Sequence, residues 1–244
     1  MPGESMQAVI LAGGRGTRLR PYTTVFPKPL MPVGDFPILE IILRQLKHAG
    51  IERIVLAVGH MSQMFHAFFG DGSLLGLHIA YSYEEKALGT AGPVGLALDQ
   101  LGEDFLVMNG DLLTTLPYRQ LLDDHCQSGA SATIAVYSRD VKIDFGVVEA
   151  RDSVLVQYRE KPVFHFDVSM GVNVFKKQHV APYLDSGQFL DIPNLLMKMS
   201  DDGKTVRCFR APCEWLDIGR IEDYEAATGI FQSRRCEFLP EDRG

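Results

Sequence analysis

The sequence predicts an α/β fold: a mixed, mainly parallel sheet with helices on both faces. Three observations carry that reading. Short apolar runs alternate with amphipathic stretches through the first half of the chain, the mark of a parallel sheet covered on both sides. Apolar residues between those runs recur at helical spacing. Past Ala130 the rhythm changes to strand-like segments separated only by turns, which adds an antiparallel portion. A chain of 244 residues is long enough to bury a sizeable core.

Taken in order, Ala8–Leu11 is the first strand. Pro21, Pro27, Pro29 and Pro32 then exclude a helix interior. Ile38, Ile41, Ile42, Leu46 and Ala49 form the apolar stripe of a helix that Gly50 stops. Arg53–Val58, His78–Tyr83 and Phe105–Met108 are further strands. Met61–Phe69, Pro93–Leu101 and Tyr118–Ser128 are helices, and Gly70-Asp71-Gly72 is a turn. The second half offers strands at Ser131–Tyr137, Gly146–Ala150, Val154–Glu160 and Val168–Phe175. Helical pattern returns at Lys176–Leu184 and Ile192–Met199, followed by a strand at Thr205–Phe209 and a closing helix at Ile221–Phe231. No linker or internal repeat divides the chain, so one domain is expected over residues 1–232, with an irregular tail over 233–244.

Composition narrows the function. Hydrophobic residues make up 46% and charged residues 23%, ordinary values for an enzyme. The net charge of −7 argues against a nucleic-acid partner. No apolar stretch approaches a membrane span and no leader pattern opens the chain. The four cysteines lack disulfide or metal spacing, so the cytoplasm is the expected compartment. A homo-oligomer is compatible with all of this.

Against the acidic total, the segment from Ser5 to Gly34 contains no Asp or Glu. Within it, Leu11-Ala-Gly-Gly-Arg-Gly-Thr-Arg-Leu-Arg20 follows the first strand. Gly13, Gly14 and Gly16 let backbone amides approach a ligand and form an anion cradle. Arg15, Arg18, Arg20 and Lys28 supply cations. The combination points to a polyphosphate site. A dinucleotide fingerprint would need a third glycine where Leu19 stands and a helix through the prolines, and it is excluded on both counts.

Other chemistry-bearing segments lie further on. Asn109-Gly-Asp111 closes the fourth strand, at the edge where open α/β sheets bind ligands. Trp215-Leu-Asp217-Ile-Gly219 offers a second carboxylate, while Trp215 reads as a packing residue. In Tyr83-Glu-Glu-Lys-Ala-Leu-Gly-Thr-Ala-Gly92, Glu84 and Glu85 are acceptor-only side chains, and Gly89, Thr90 and Gly92 lead into a helix. The seven histidines show no ligand spacing, and no nucleophile elbow occurs.

The string L-A-G-G-x-G-T-R-L-x-P with its downstream P-K-P resembles the signature of sugar-1-phosphate nucleotidyltransferases, and the likeness continues to about Ala227. The fold implied is the Rossmann-like nucleotidyltransferase domain, here without a C-terminal β-helix. The resemblance implies NTP and sugar 1-phosphate as substrates and Mg²⁺ as cofactor, held by Asp111 and Asp217. Arg18 and Lys28 would join Asp111 as catalytic groups. Leu11, Ala12, Gly13, Gly14, Gly16, Thr17, Arg18, Glu84, Glu85, Gly89 and Thr90 would bind the nucleotide. Gly146, Glu160, Lys161, Gly171 and Asn173, in Phe145-Gly, Arg159-Glu-Lys-Pro162 and Met170-Gly-Val-Asn173, would bind the sugar phosphate, with Lys161 on the phosphate.

The E-x-x-x-L-G-T-A-G form is closest to guanylyltransferase branches. A carboxylate also suits the adjacent N1–H and N2–H donors of guanine. If backbone alone reads the base, UTP, dTTP or CTP remains open. A non-catalytic sugar-nucleotide-binding homologue would be expected to have lost part of the Arg18, Lys28, Asp111, Asp217 set, and all four positions are filled.

Overall fold

The computed structural model describes residues 6–14, 16–19 and 21–239. Arg15 and Arg20, two of the cations expected at the glycine loop, lie outside the described residues, as does the end of the tail from Pro240.

The strands are β1 (Gln7–Leu11), β2 (Pro32–Val33), β3 (Phe36–Pro37), β4 (Arg53–Val58), β5 (His78–Tyr83), β6 (Asp104–Asn109) and β7 (Leu112–Thr114). They continue with β8 (Ala132–Lys142), β9 (Val147–Arg151), β10 (Val154–Arg159), β11 (Val163–Lys176), β12 (Val206–Phe209) and β13 (Trp215–Asp217). The helices are α1 (Ile38–His48), α2 (Ser62–Phe69), α3 (Gly92–Ala97), α4 (Tyr118–Ser128), α5 (Lys177–Val180), α6 (Ile192–Asp201), α7 (Ile221–Ser233) and α8 (Arg235–Phe238).

Seven strands form the central sheet in the order β12-β8-β11-β6-β1-β4-β5. The run β6-β1-β4-β5 is parallel throughout, whereas β11 runs antiparallel to both β6 and β8. Successive residues of each parallel strand face opposite sides of the sheet. Ala8, Ile10, Ile54, Leu56, Leu106 and Met108 therefore share one core with α1, α2, α4 and α7. Val9, Val55, Ala57, Phe105 and Val107 share the other with α3 and α6. This two-sided burial is why the parallel strands read as unbroken apolar runs.

Several boundaries differ from those expected, each for a physical reason. The strand expected to end at Tyr137 runs to Lys142, and its partner begins at Val163 rather than Val168. The extra residues form a two-stranded ribbon beyond the sheet, with Lys142 opposite Val163. Both of its faces meet solvent, so no inside–outside alternation announces it. The helix expected at Pro93–Leu101 tightens after Ala97 into a 3₁₀ turn. That expected at Lys176–Leu184 gives four α-helical residues and then a 3₁₀ turn containing Pro182.

The tail is not wholly irregular. Arg235–Phe238 makes a helical turn that buries Phe238 against Phe231, with ring centroids 5.9 Å apart. The Gln45 side-chain amide donates to the Phe238 carbonyl at 2.7 Å and the Thr114 carbonyl at 2.8 Å, tying the tail to α1 and β7. No helix among the described residues is long and apolar enough to cross a membrane.

Candidate functional site

The parallel register decides where the chemistry gathers. Leu11, the last residue of β1, stands beside Ala57 of β4 and Asn109 of β6. The glycine loop after β1, Gly59-His60 after β4 and Gly110-Asp111 after β6 therefore leave the sheet at one edge. Two further bonds extend the alignment: Ala12 N–H donates to Ala57 at 2.8 Å and Gly110 N–H to Leu11 at 2.9 Å. A cavity of about 820 Å³ opens there, within the range of small-molecule sites.

Its lining includes the whole expected nucleotide set: Leu11, Ala12, Gly13, Gly14, Gly16, Thr17, Arg18, Glu84, Glu85, Gly89 and Thr90. Lys28 and Asp111 line it too. The glycine loop is pinned by the Thr23 hydroxyl, which donates to the Gly16 carbonyl at 2.7 Å.

Lys28 sits in a short 3₁₀ turn, Lys28–Leu30, and is buried to 6% exposure. Its ammonium donates to the Asp111 carboxylate. A buried ammonium needs such a partner, because desolvating an unpaired charge is costly.

The second carboxylate does not itself line the cavity, but a pairing that periodicity did not reveal brings its strand alongside the segment after Asp111. β7 and β13 form a separate antiparallel ladder in which Asp217 lies opposite Leu112, the neighbour of Asp111. Gly219 then turns beside the glycine loop: a Cβ placed there would lie 3.7 Å from an Arg18 Nη atom and 3.8 Å from Asp217 Oδ2. α7 starts at Ile221 with Arg220 as its cap residue, so Asp217 does not cap that helix. Trp215 packs beside Tyr137 and donates its indole N–H to the Met170 carbonyl at 3.1 Å.

On the cavity wall, Glu84 bridges two loops. Its Oε2 accepts from the Leu88 N–H at 3.2 Å, and a Cβ on Gly13 would fall 2.1 Å from its Oε1. Glycine at position 13 is what lets this carboxylate lie against the glycine loop. Glu85 is exposed at the mouth. Gly89 has a positive φ of 76°, and a Cβ there would meet the Leu190 carbonyl at 2.5 Å. Thr90 is held by Asp191, which accepts from its N–H at 3.0 Å.

The residues expected on the sugar side are placed differently. Gly146, Glu160 and Lys161 belong to the β9–β10 hairpin and its flanks, and none of them lines the cavity. Tyr158 donates to Glu160 at 3.0 Å and its ring lies over Gly146, while exposed Lys161 has a left-handed backbone with φ 43°. Gly171 lies against the cavity-lining residue Asn109, whose Nδ2 would be 2.6 Å from an added Cβ. Asn173 is buried within the sheet opposite Val107, its Oδ1 without a hydrogen-bond partner.

Among the described residues, no group of three or more His, Cys, Asp or Glu side chains is placed to hold a metal. Asp111 and Asp217 are hard oxygen donors on adjoining segments. Such a pair suits Mg²⁺, which takes few protein carboxylates and completes its shell with phosphate and water.

Sequence reasoning missed Gly59, His60, Phe189, Asp191 and Gly219, all in the lining. Gly59 and His60 were within reach, since they follow a recognised parallel strand at its ligand-binding end. Phe189 and Asp191 carry no local signal.

Fold and cavity together define an α/β protein with a glycine-rich loop and a polar cavity at the ends of its parallel strands. The chain belongs to the nucleotidyl transferase family, whose pattern matches residues 7–233. It is 33% identical to a UTP–glucose-1-phosphate uridylyltransferase of Synechocystis, over 92% of this chain and 63% of the relative. It is 32% identical to a mannose-1-phosphate guanylyltransferase of Mycobacterium tuberculosis, over 92% of this chain and 64% of the relative. Among solved structures, a Bacillus anthracis protein described as a glucose-1-phosphate thymidylyltransferase, in complex with a sucrose, superposes with a TM-score of 0.74 at 25% identity. That match covers 92% of this chain and 94% of the other. The chain thus spans about two-thirds or less of the length of the curated relatives named here.

Proposed function

We propose that this chain transfers a nucleoside monophosphate from an NTP, GTP by preference, to a sugar 1-phosphate, releasing pyrophosphate. The observation that carries the reading is the meeting of Arg18, Lys28 and Asp111, from distant segments, in the lining of one cavity, with Asp217 close behind its lining residue Gly219. Lys28 is ion-paired to Asp111, and Arg18 and Asp217 both lie near Gly219.

An oxygen of the sugar phosphate forms a bond to the α-phosphorus while the bond to the β-bridging oxygen breaks, and the pyrophosphate leaves as the anion. The attacking oxygen is already ionised near neutral pH, so no general base is required. Catalysis then rests on alignment and charge neutralisation. The glycine-loop amides and Arg18 hold the triphosphate. Lys28 supplies fixed positive charge beside the α-phosphate. Mg²⁺ bound by Asp111 and Asp217 would neutralise phosphate charge as a Lewis acid.

Glu84 supports guanine as the base: its carboxylate sits on the cavity wall, fixed by the Leu88 amide, and presents only acceptors. A wrong base would leave that carboxylate facing a carbonyl, the kind of mismatch that discriminates strongly. Lys161 and Glu160, on the neighbouring hairpin, are proposed for the sugar phosphate.

Pyrophosphate release from five NTPs offered against several sugar 1-phosphates with Mg²⁺ tests the reading. GDP-sugar should dominate the products when NTPs compete at equal concentration. Release with none of the pairs would refute the activity, and a dominant UDP- or dTDP-sugar would refute the base assignment alone.

A further inference from the structure

One aromatic side chain at the cavity has no part in the chemistry above. Phe189 lines the cavity with 65% of its surface exposed, in the segment that enters α6. We propose that Phe189 is the stacking platform for the nucleotide base, a positioning residue that fixes the base while Glu84 reads its edge. The proposal rests on the nucleotide-binding reading.

A lone exposed phenylalanine would carry nothing, since soluble proteins display many. This one sits on a segment whose next three residues are hydrogen-bonded to the loop that carries Glu84. Leu190 N–H donates to the Leu88 carbonyl at 2.9 Å, and the Leu190 carbonyl accepts from Ala91 at 2.8 Å and Gly92 at 3.1 Å. Asp191 accepts from Thr90 N–H at 3.0 Å, and the Thr90 hydroxyl accepts from Ile192 N–H at 2.8 Å. The two segments also touch where glycine alone fits: a Cβ on Gly89 would meet the Leu190 carbonyl at 2.5 Å, and one on Gly92 the Gln188 carbonyl at 2.6 Å.

Leu190 anchors the segment by packing on the core beneath α3 and α6. Its neighbour Phe189 is left on the cavity, on a backbone clipped at both Leu88 and Thr90. An aromatic ring on a clipped backbone, lining the same cavity as an acceptor-only carboxylate, suits a flat heteroaromatic base with donors on its edge. Stacking tolerates any base, so Phe189 sets affinity and Glu84 sets identity. The larger purine face gains more contact than a pyrimidine.

Calorimetric titration of the full chain and its F189A and F189Y variants with GTP, UTP and inorganic tripolyphosphate tests this. F189A should weaken GTP binding roughly tenfold or more, UTP binding less, and tripolyphosphate binding not at all. F189Y should restore GTP affinity, with thermal midpoints unchanged. GTP binding by F189A within twofold of wild type, or an equal loss for tripolyphosphate, would overturn the proposal. A wild-type chain that binds tripolyphosphate but no NTP would instead defeat the nucleotide reading on which it stands.

Discussion

The cavity edge and the projecting ribbon are built on opposite terms. At the cavity, backbone is locked by parallel neighbours on both sides, Lys28 is buried against Asp111, and loops meet at distances only glycine permits. The ribbon of β8 and β11 and the β9–β10 hairpin leave Val148, Val154, Leu155, Val156 and Tyr158 more than half exposed. Their charges pair in water: Arg159 with Glu149 at 3.1 Å, His165 with Asp140 at 2.6 Å, and Arg210 with Asp167, whose carboxyl the Arg210 hydrogen bond holds below the usual range. Exposed pairs of this kind add little to stability. The contrast teaches that the groups lining the cavity are organised by the fold itself. Glu160 and Lys161, proposed for the sugar phosphate, stand at the end of a two-stranded element with solvent on both faces.

The sharpest break of that contrast comes from the carboxylates. Asp111→Ala and Asp217→Ala should each lower turnover roughly a thousandfold, because metal charge stabilisation contributes several kcal/mol. Steady-state rates in Mg²⁺ check this, and near-normal turnover in both variants defeats the assignment. Next in size, Arg18→Ala should reduce kcat about a hundredfold, as expected for a preorganised donor to developing charge. A raised KM for NTP at unchanged kcat would make Arg18 a ground-state binder.

Lys161→Ala tests the other region. KM for the sugar 1-phosphate should rise roughly tenfold, in line with losing one charge-assisted hydrogen bond. NTP affinity measured without sugar should stay within twofold. A large loss of NTP affinity would put Lys161 on the triphosphate.

The smallest effect compares two glycines. Gly89→Ala drives a Cβ into the Leu190 backbone at a left-handed position and should cost about 1–3 kcal/mol. Gly146→Ala meets only the exposed ring of Tyr158, which can swing aside, and should shift stability by about 0.5 kcal/mol or less. Thermal unfolding of the two variants decides it, and equal losses would mean the hairpin is as tightly built as the cavity.

Much of the site was legible because its parts are local. An apolar strand followed by Gly13, Gly14 and Gly16, with Arg18 and Lys28 downstream, writes its chemistry in consecutive residues. Asn109-Gly-Asp111 does the same after β6. The extra reach of β8 and β11 was not legible, since a ribbon wet on both faces imposes no alternation.

By itself the sequence determined the doubly covered parallel sheet, because burial on both faces forces continuous apolar runs. It also determined the basic glycine loop at the end of the first strand. Only the tertiary structure decided that Asp217 pairs across from Leu112, in the β7–β13 ladder, and that Leu190, next to Phe189, is clipped to Leu88 of the Glu84 loop. Periodicity records which face of an element is buried. It carries no mark of which distant segment lies across from it, and both of those contacts join residues about a hundred positions apart.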